Sequence, residues 1–274
     1  MWSNPATQAN VDALRDRGAV IVEPESGELA SGLVGQGRLA SVEAIGAAIE
    51  EALSASTALA GRRVIVTAGP TLEPIDPVRV VTNRSSGKMG YAVAAAAQRA
   101  GAEVTLVSGP TALRAPAGVT TVAIETAQEL SDAVLAALPG ADAVIMAAAV
   151  ADYRPAKPAD RKLKKRDHGD TMSIDMTRTP DVLQAIVAQR DPRTIVVGFK
   201  AETGDALAEA THMLREKKLD LVVANDIAAP QSVFGSDDDQ VAFVSADGVE
   251  QLPLLKKTEV ARRLVSKLAE RLAR

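Results

Sequence analysis

From about residue 60 onward, short β-branched or continuously apolar runs alternate with stretches of helical period, and this alternation restricts the fold more than any other feature. The extended runs are residues 63–67, 103–108, 120–124, 143–148, 194–199 and 220–224, with helical patterns between them. Parallel neighbours in a sheet need a long crossover, usually a helix, so the pattern spells βαβ units. Runs such as VIMAAA (144–149) and LVVA (221–224) lack polar alternation, which means that both faces of the sheet are covered. The class predicted is α/β: a Rossmann-like, doubly wound, mostly parallel sheet.

Three segments depart from this rhythm. Residues 157–170 are charged and proline-bearing, and MSIDM (172–176) alternates before the turn signal Arg178-Thr179-Pro180-Asp181; together they read as an inserted flap or arm. A β-hairpin is expected over 240–254, turning at Ala246-Asp247-Gly248, before an amphipathic helix over 257–272. The first sixty residues form the third. They offer one plausible strand at 20–22, the turn-rich LASGLVGQGRLAS (29–41), a helix over 42–53 and the linker-like SASTALAG (54–61). That is too little for an independent core, so the boundary falls between 1–60 and 61–274.

Composition excludes several functions. Zero cysteines rule out disulfides, thiolate metal sites and a cysteine nucleophile, and two histidines, His168 and His212, cannot build a histidine cage. A net charge of −4 with six aromatic residues provides neither the basic field nor the stacking rings of a nucleic-acid platform. Stretches such as AVIMAAAV (143–150) are too short to span a bilayer, and MWSNPATQ has no basic or apolar leader pattern, so no membrane contact and a cytoplasmic setting are expected.

Chemistry concentrates at RVVTNRSSGKMG (79–90), where an extended segment meets a helix. Ser85, Ser86 and the free N–H groups ahead of KMGYAVAAAAQRAG converge on Gly87, and the positive end of the helix dipole favours an anion such as phosphate. The competing assignment makes the serines a cap and Gly87 a turn residue. Upstream, RVIVTAGPT (63–71) ends in a Gly-Pro turn, so two strand-end loops carry unusual turn chemistry where open parallel sheets bind ligands.

TAGPT (67–71), EPIDPVR (73–79), NRSSGKMG (83–90), VSGP (107–110), AAAVADYRP (147–155), KLKK (162–165), TPDVL (179–183), VGFKAET (197–203) and VANDI (223–227) stand in one order. Together they closely resemble the phosphopantothenoylcysteine synthetase half of the bacterial bifunctional coenzyme A biosynthesis protein. The likeness covers roughly residues 60–274. The leader, MW..PATQ.N to GRLA, resembles the tail of the flavin-dependent decarboxylase half, whose flavin core would lie ahead of Met1; FMN and decarboxylation are expected of that half alone.

The resemblance implies a ligase that joins 4′-phosphopantothenate to cysteine with CTP, through an acyl-cytidylate, with Mg²⁺ accompanying the triphosphate. It implies Asn83 at the acyl-cytidylate, where the residue pattern alone suggests a turn asparagine. It implies nucleotide contacts from Ser86, Gly87, Met146, Ala147, Ala148 and Asp152, although most of AAAVAD reads simply as packed strand. Lys162 matches a lysine on an arm closing over CTP; charge runs are otherwise solvated faces. Pro180 and Asp181 match a nucleotide turn, with helix capping as the competing role. Phe199, a core residue by default, matches a nucleotide contact. Lys217 matches the second of two lysines four apart, but Met213 stands in place of the first, leaving Arg215, Lys218 or Lys200 as substitutes. Metal ligands are not identified, Asp181 and Asp226 being candidates beside water. A homodimer is implied, with a higher oligomer for the full-length parent.

Two other classes fit the same fold. An NAD(P)-binding reductase module would need GxGxxG after the first strand, and none follows residue 67. A noncatalytic assembly element would use the arm or hairpin as an interface and release no pyrophosphate.

Overall fold

The computed structural model describes residues 1–28, 32, 34–53, 56–165, 170–226 and 235–273. Leu29 to Ser31, Arg166, His168 and Ile227, which belong to patterns noted above, lie outside the described residues. The chain divides into two compact units, Met1–Thr57 and Ala58–Arg274.

In the first unit, α1 (Pro5–Asp16) starts on Asn4, whose side-chain oxygen accepts from the Ala6 N–H at 2.9 Å. Pro5 sits at the helix start, where its missing N–H is no loss. An antiparallel ribbon of β1 (Glu25–Glu28) and β2 (Val34–Arg38) precedes α2 (Val42–Leu53). The Ser41 N–H donates to the Glu25 carboxylate at 2.9 Å and holds it below its ordinary pKa. The strand expected at 20–22 is absent, and Val20 is exposed. Three residues without a pairing partner cannot satisfy ladder bonds, and the ribbon forms further along in a glycine-bearing sequence whose strand propensity is poor.

The second unit runs β3 (Arg63–Ala68), β4 (Leu72–Pro74), β5 (Val80–Thr82), α3 (Lys88–Arg99), β6 (Glu103–Ser108), β7 (Thr120–Ala123) and α4 (Ala127–Ala137). It continues through β8 (Ala143–Met146), β9 (Tyr153–Pro155), β10 (Met176–Arg178), α5 (Val182–Gln189), β11 (Ile195–Glu202), α6 (Ala206–Glu216) and β12 (Leu221–Asp226). It closes with β13 (Asp238–Asp239), β14 (Val241–Ser245), β15 (Gly248–Gln251), β16 (Leu255–Lys256) and α7 (Lys257–Leu272).

Eight strands make one sheet in the order β7-β6-β3-β8-β11-β12-β14-β15. The first six are parallel, and the hairpin β14–β15 adds two antiparallel strands. The chain moves outward from β3 to β7, then returns to lay β8 on the other flank of β3. This reversal is the topological switch point of a doubly wound sheet.

Successive strand residues feed opposite cores, as a period of two demands. Val64, Val66, Ile145, Val197 and Val223 pack with Val93 of α3 and Leu264 and Leu268 of α7 on one face. Ile65, Val144, Val196 and Val222 pack with Leu130 of α4, Ile186 of α5 and Leu214 of α6 on the other. The expected arm leaves and re-enters through the β9–β10 ladder, Arg178 opposite Tyr153 and Met176 opposite Pro155. Among the described residues no helix is long and apolar enough to cross a membrane.

Candidate functional site

A cavity of about 730 Å³ opens at the carboxyl ends of β8 and β11, walled by α5 and α6. Met146, Ala148, Asp152, Pro180, Asp181, Phe199 and Lys217, all named from sequence, line it together although they come from separate segments of the chain.

The loop after β8 is fixed to the loop after β3 by a series of short bonds. The Ala148 N–H donates to Thr67 Oγ1 at 3.0 Å, the Ala149 N–H to the Gly69 carbonyl at 2.9 Å and the Ala151 N–H to Thr71 Oγ1 at 3.0 Å. Both threonines are fully buried. Their hydroxyls therefore satisfy main-chain donors that no ladder reaches. Asn83 joins this loop from outside the cavity wall: its Nδ2 donates to the Val150 carbonyl at 2.8 Å, and Val150 lines the cavity. One amide N–H is thus committed to positioning while the second N–H and the oxygen remain for another partner.

The opposite wall begins at Thr179. Its N–H donates to the Asp152 carbonyl at 3.0 Å and its hydroxyl to the Ala151 carbonyl at 2.6 Å, tying β10 to the β8 loop. Asp181 then caps α5, Oδ1 accepting from the Gln184 N–H at 3.0 Å, while Oδ2 accepts from the Lys217 ammonium at 2.5 Å. Capping and cavity lining, posed as alternatives from sequence, coexist in one side chain. Burial pushes the Asp181 carboxyl up, but the Lys217 ammonium and the Gln184 N–H outweigh it and hold it below its ordinary value. The hydrogen bond to Asp181 raises Lys217 in return.

The remaining named residues lie elsewhere. Ala147 does not line the cavity; its N–H turns back to the Ile145 carbonyl at 3.2 Å. Ser86 and Gly87 also lie outside the lining. Gly87 adopts φ 75° as the N-cap of α3, with no side-chain cap on that helix, and its N–H donates to Ser85 Oγ at 3.3 Å. A Cβ there would come within 2.6 Å of the Thr111 methyl, so the position excludes any side chain. Lys88 turns away, its ammonium donating to the Gly235 carbonyl at 2.6 Å and to Asp237 at 2.7 Å.

Lys162 is exposed on the arm. Its neighbour Leu163 is anchored: the Leu163 N–H donates to Asp76 Oδ2 at 3.0 Å and its carbonyl accepts from Arg79 at 2.8 Å. The Arg79 guanidinium and the Leu163 N–H hold the buried Asp76 carboxyl far below the usual carboxylate range. The arm is therefore clasped one residue from Lys162.

Met213 lines the cavity with its methyl lying over Gly198, where a Cβ would be 3.0 Å away. Of the substitutes considered for a cation there, Lys200 lines the cavity whereas Arg215 and Lys218 do not. Sequence reasoning missed Arg178, Gln184, Glu209, His212 and Glu216 as cavity residues. Glu209, His212, Met213 and Glu216 on α6 and Lys217 at its C-cap recur at three- and four-residue steps, so the helical period was the signal that could have grouped them. Among the described residues no cluster of three or more His, Asp or Glu side chains is placed to hold a metal.

Residues 59–272 match the family described as the DNA/pantothenate metabolism flavoprotein C-terminal domain. The Coenzyme A biosynthesis bifunctional protein CoaBC of Vibrio vulnificus is 43% identical over 268 residues, covering 98% of this chain and 67% of that protein. The crystal structure of the C-terminal domain of a CoaBC protein superposes with a TM-score of 0.68 at 44% identity, covering 80% of this chain and 99% of the other. A Cab2 variant in complex with phosphopantothenate-cysteine shares the fold with a TM-score of 0.65 at 16% identity, over 82% of this chain and 90% of that one. The parallel sheet, the crevice at the carboxyl ends of β8 and β11 and these likenesses lead to one conclusion: the chain belongs to the flavoprotein C-terminal domain family, the phosphopantothenoylcysteine synthetase domain of bifunctional coenzyme A biosynthesis proteins.

Proposed function

We propose that the chain is a phosphopantothenate–cysteine ligase driven by CTP. The 4′-phosphopantothenate carboxylate attacks the α-phosphorus of CTP, forming an acyl-cytidylate and releasing pyrophosphate. The cysteine amino group then attacks the acyl carbon; the new C–N bond forms as the acyl–oxygen bond to CMP breaks, and the amine loses a proton. The observation that carries this reading is the convergence of seven motif residues on a single 730 Å³ cavity at the carboxyl ends of β8 and β11.

In this reading Met146, Ala148 and Phe199 form the apolar side of the nucleotide site, while Asp152 and Asp181 accept from ribose or base. Lys217 leaves Asp181 to meet a phosphate, and Lys162 approaches from the clasped arm. The first turn of α3, behind Ser86 and Gly87, directs uncapped N–H groups at phosphate oxygens. Asn83, oriented by Val150, donates its second N–H to the acyl oxygen, where negative charge develops during amide formation.

A magnesium ion carried by the triphosphate suits this donor set, because such an ion keeps mostly phosphate and water ligands and asks for one or two carboxylates. Asp152 and Asp181 line the cavity and would hold it there, where it supplies charge neutralisation. Residues 1–60 are read as the tail of the decarboxylase half plus a linker, and FMN belongs to the remainder of that half. The ligase is expected to act as a homodimer.

The test is a coupled assay on the purified chain. Pyrophosphate release must require both CTP and phosphopantothenate, and CMP release must then require cysteine. CTP binding without turnover in the presence of both substrates would sink the ligase, and preference for NADPH over CTP in direct binding would favour the reductase module.

A further inference from the structure

Among the described residues, the cavity carries one cation that no carboxylate engages. Lys217 is paired with Asp181, Lys200 lies 3.2 Å from Glu202 and His212 lies 3.3 Å from Glu216. Arg178 also lines the cavity, and among the described residues no carboxylate pairs with its guanidinium. Its backbone is held on both sides, by the β9–β10 ladder opposite Tyr153 and by the two Thr179 bonds to the β8 loop. An exposed arginine on a fixed strand end, facing a cavity and without a carboxylate beside it, is arranged to receive an anion from solution.

We infer that Arg178 anchors the polyphosphate of the incoming nucleotide, supplying the positive charge that Met213 does not. This rests on the ligase reading above for the identity of the nucleotide. Phosphate chemistry favours arginine in this position, because a planar guanidinium stays charged at any working pH and meets two phosphate oxygens at once, a geometry a lysine ammonium cannot reproduce. Met213 is directed at Gly198 and offers only an apolar surface. Lys217 must break an ion pair before it can serve, and Arg178 starts without one among the described residues.

The experiment measures CTP and inorganic triphosphate binding by calorimetry on the full chain, with steady-state kinetics alongside. Arg178→Ala is expected to weaken both ligands about tenfold or more, as loss of a charge-assisted contact implies. Arg178→Lys should lose less, because charge survives while the two-point contact does not. Arg193→Ala is the control: Arg193 is exposed, pairs with Asp191 and lies outside the cavity, so it removes the same net charge without touching the site. In kinetics the KM for CTP should rise while kcat changes less than about threefold and the KM for phosphopantothenate stays put.

Unchanged triphosphate affinity in Arg178→Ala would overturn the inference, as would an equal loss in Arg193→Ala or an effect confined to the KM for phosphopantothenate. Wild-type chain that binds triphosphate yet releases no pyrophosphate from CTP and phosphopantothenate would end the ligase reading separately, and the affinity ratios would still decide the role of Arg178.

Discussion

The two flanks of the switch point treat the carboxyl ends of their strands in opposite ways. Beyond β3 and β6 the backbones close on one another: a Cβ on Gly109 would lie 1.9 Å from the Pro70 carbonyl oxygen, and one on Gly90 would lie 2.6 Å from the Ala68 methyl. Beyond β8 and β11 side chains hold the walls apart around a 730 Å³ space, with ion pairs such as Asp181–Lys217 across it. Glycine on the first flank brings main chain to main chain and leaves N–H groups at the start of α3. Charge on the second flank makes a cavity that a ligand can fill by replacing existing partners. Packing shapes the first flank and electrostatics the second, so substitutions on the two flanks should fail in different ways.

The largest effect belongs to the closed flank. Gly109→Ala forces a methyl against a backbone carbonyl that cannot yield, and overpacking of this kind costs about 3 kcal/mol. A large drop in the urea midpoint with unchanged m is the expected result. Wild-type stability in this variant would mean that the flank is looser than its geometry, and the contrast between the halves would disappear.

Asn83→Ala comes next and probes the seam between the flanks. It removes both the tether to Val150 and the donor proposed for the acyl oxygen. We expect cysteine-dependent CMP release to fall about a hundredfold, the usual loss for a single oxyanion donor, with CTP affinity nearly unchanged. Equal losses in both would reduce Asn83 to a loop fastener. Lys162→Ala should act more weakly, raising the KM for CTP about tenfold with little change in stability, because the residue is exposed while the clasp at Leu163 stays intact. Indifference of CTP binding would return that lysine to the solvated face of a charge run.

The closed flank was the more legible of the two in sequence. Strand 103–108 and helix 257–272 were placed to the residue, because a short β-branched run between turn signals and a clean helical period leave few alternatives. GPT and SSG announced themselves as turn chemistry, whereas VSGP stood out only as part of the family resemblance. The open flank was legible only where a motif crossed it, at Met146, Ala148, Asp152, Pro180, Asp181, Phe199 and Lys217. Arg178, Glu209, His212 and Glu216 carry no motif; they reach the cavity because β10 is stitched to the β8 loop and because one face of α6 turns inward, and both facts are tertiary. The ribbon β1–β2 was missed for another reason: Gly35 and Gly37 have poor strand propensity, and its pairing is what holds it extended.

The smallest effect sharpens the comparison most finely. Asp181→Asn preserves the cap of α5, since asparagine caps a helix as well as aspartate does, and it removes only the charge facing Lys217. Both partners are partly exposed to solvent, so the stability lost at neutral pH should be about 0.5 kcal/mol and no more than about 1 kcal/mol. The carboxyl is held below its ordinary value in the folded chain, so its contribution is present above the unfolded carboxylate range and is lost as pH falls through the lowered folded value. Wild type and variant should therefore differ in melting temperature at neutral pH and converge in strong acid. A difference that persists into strong acid would show that Asp181 acts on this flank through the cap and packing, and the open wall would then be built by the same means as the closed one.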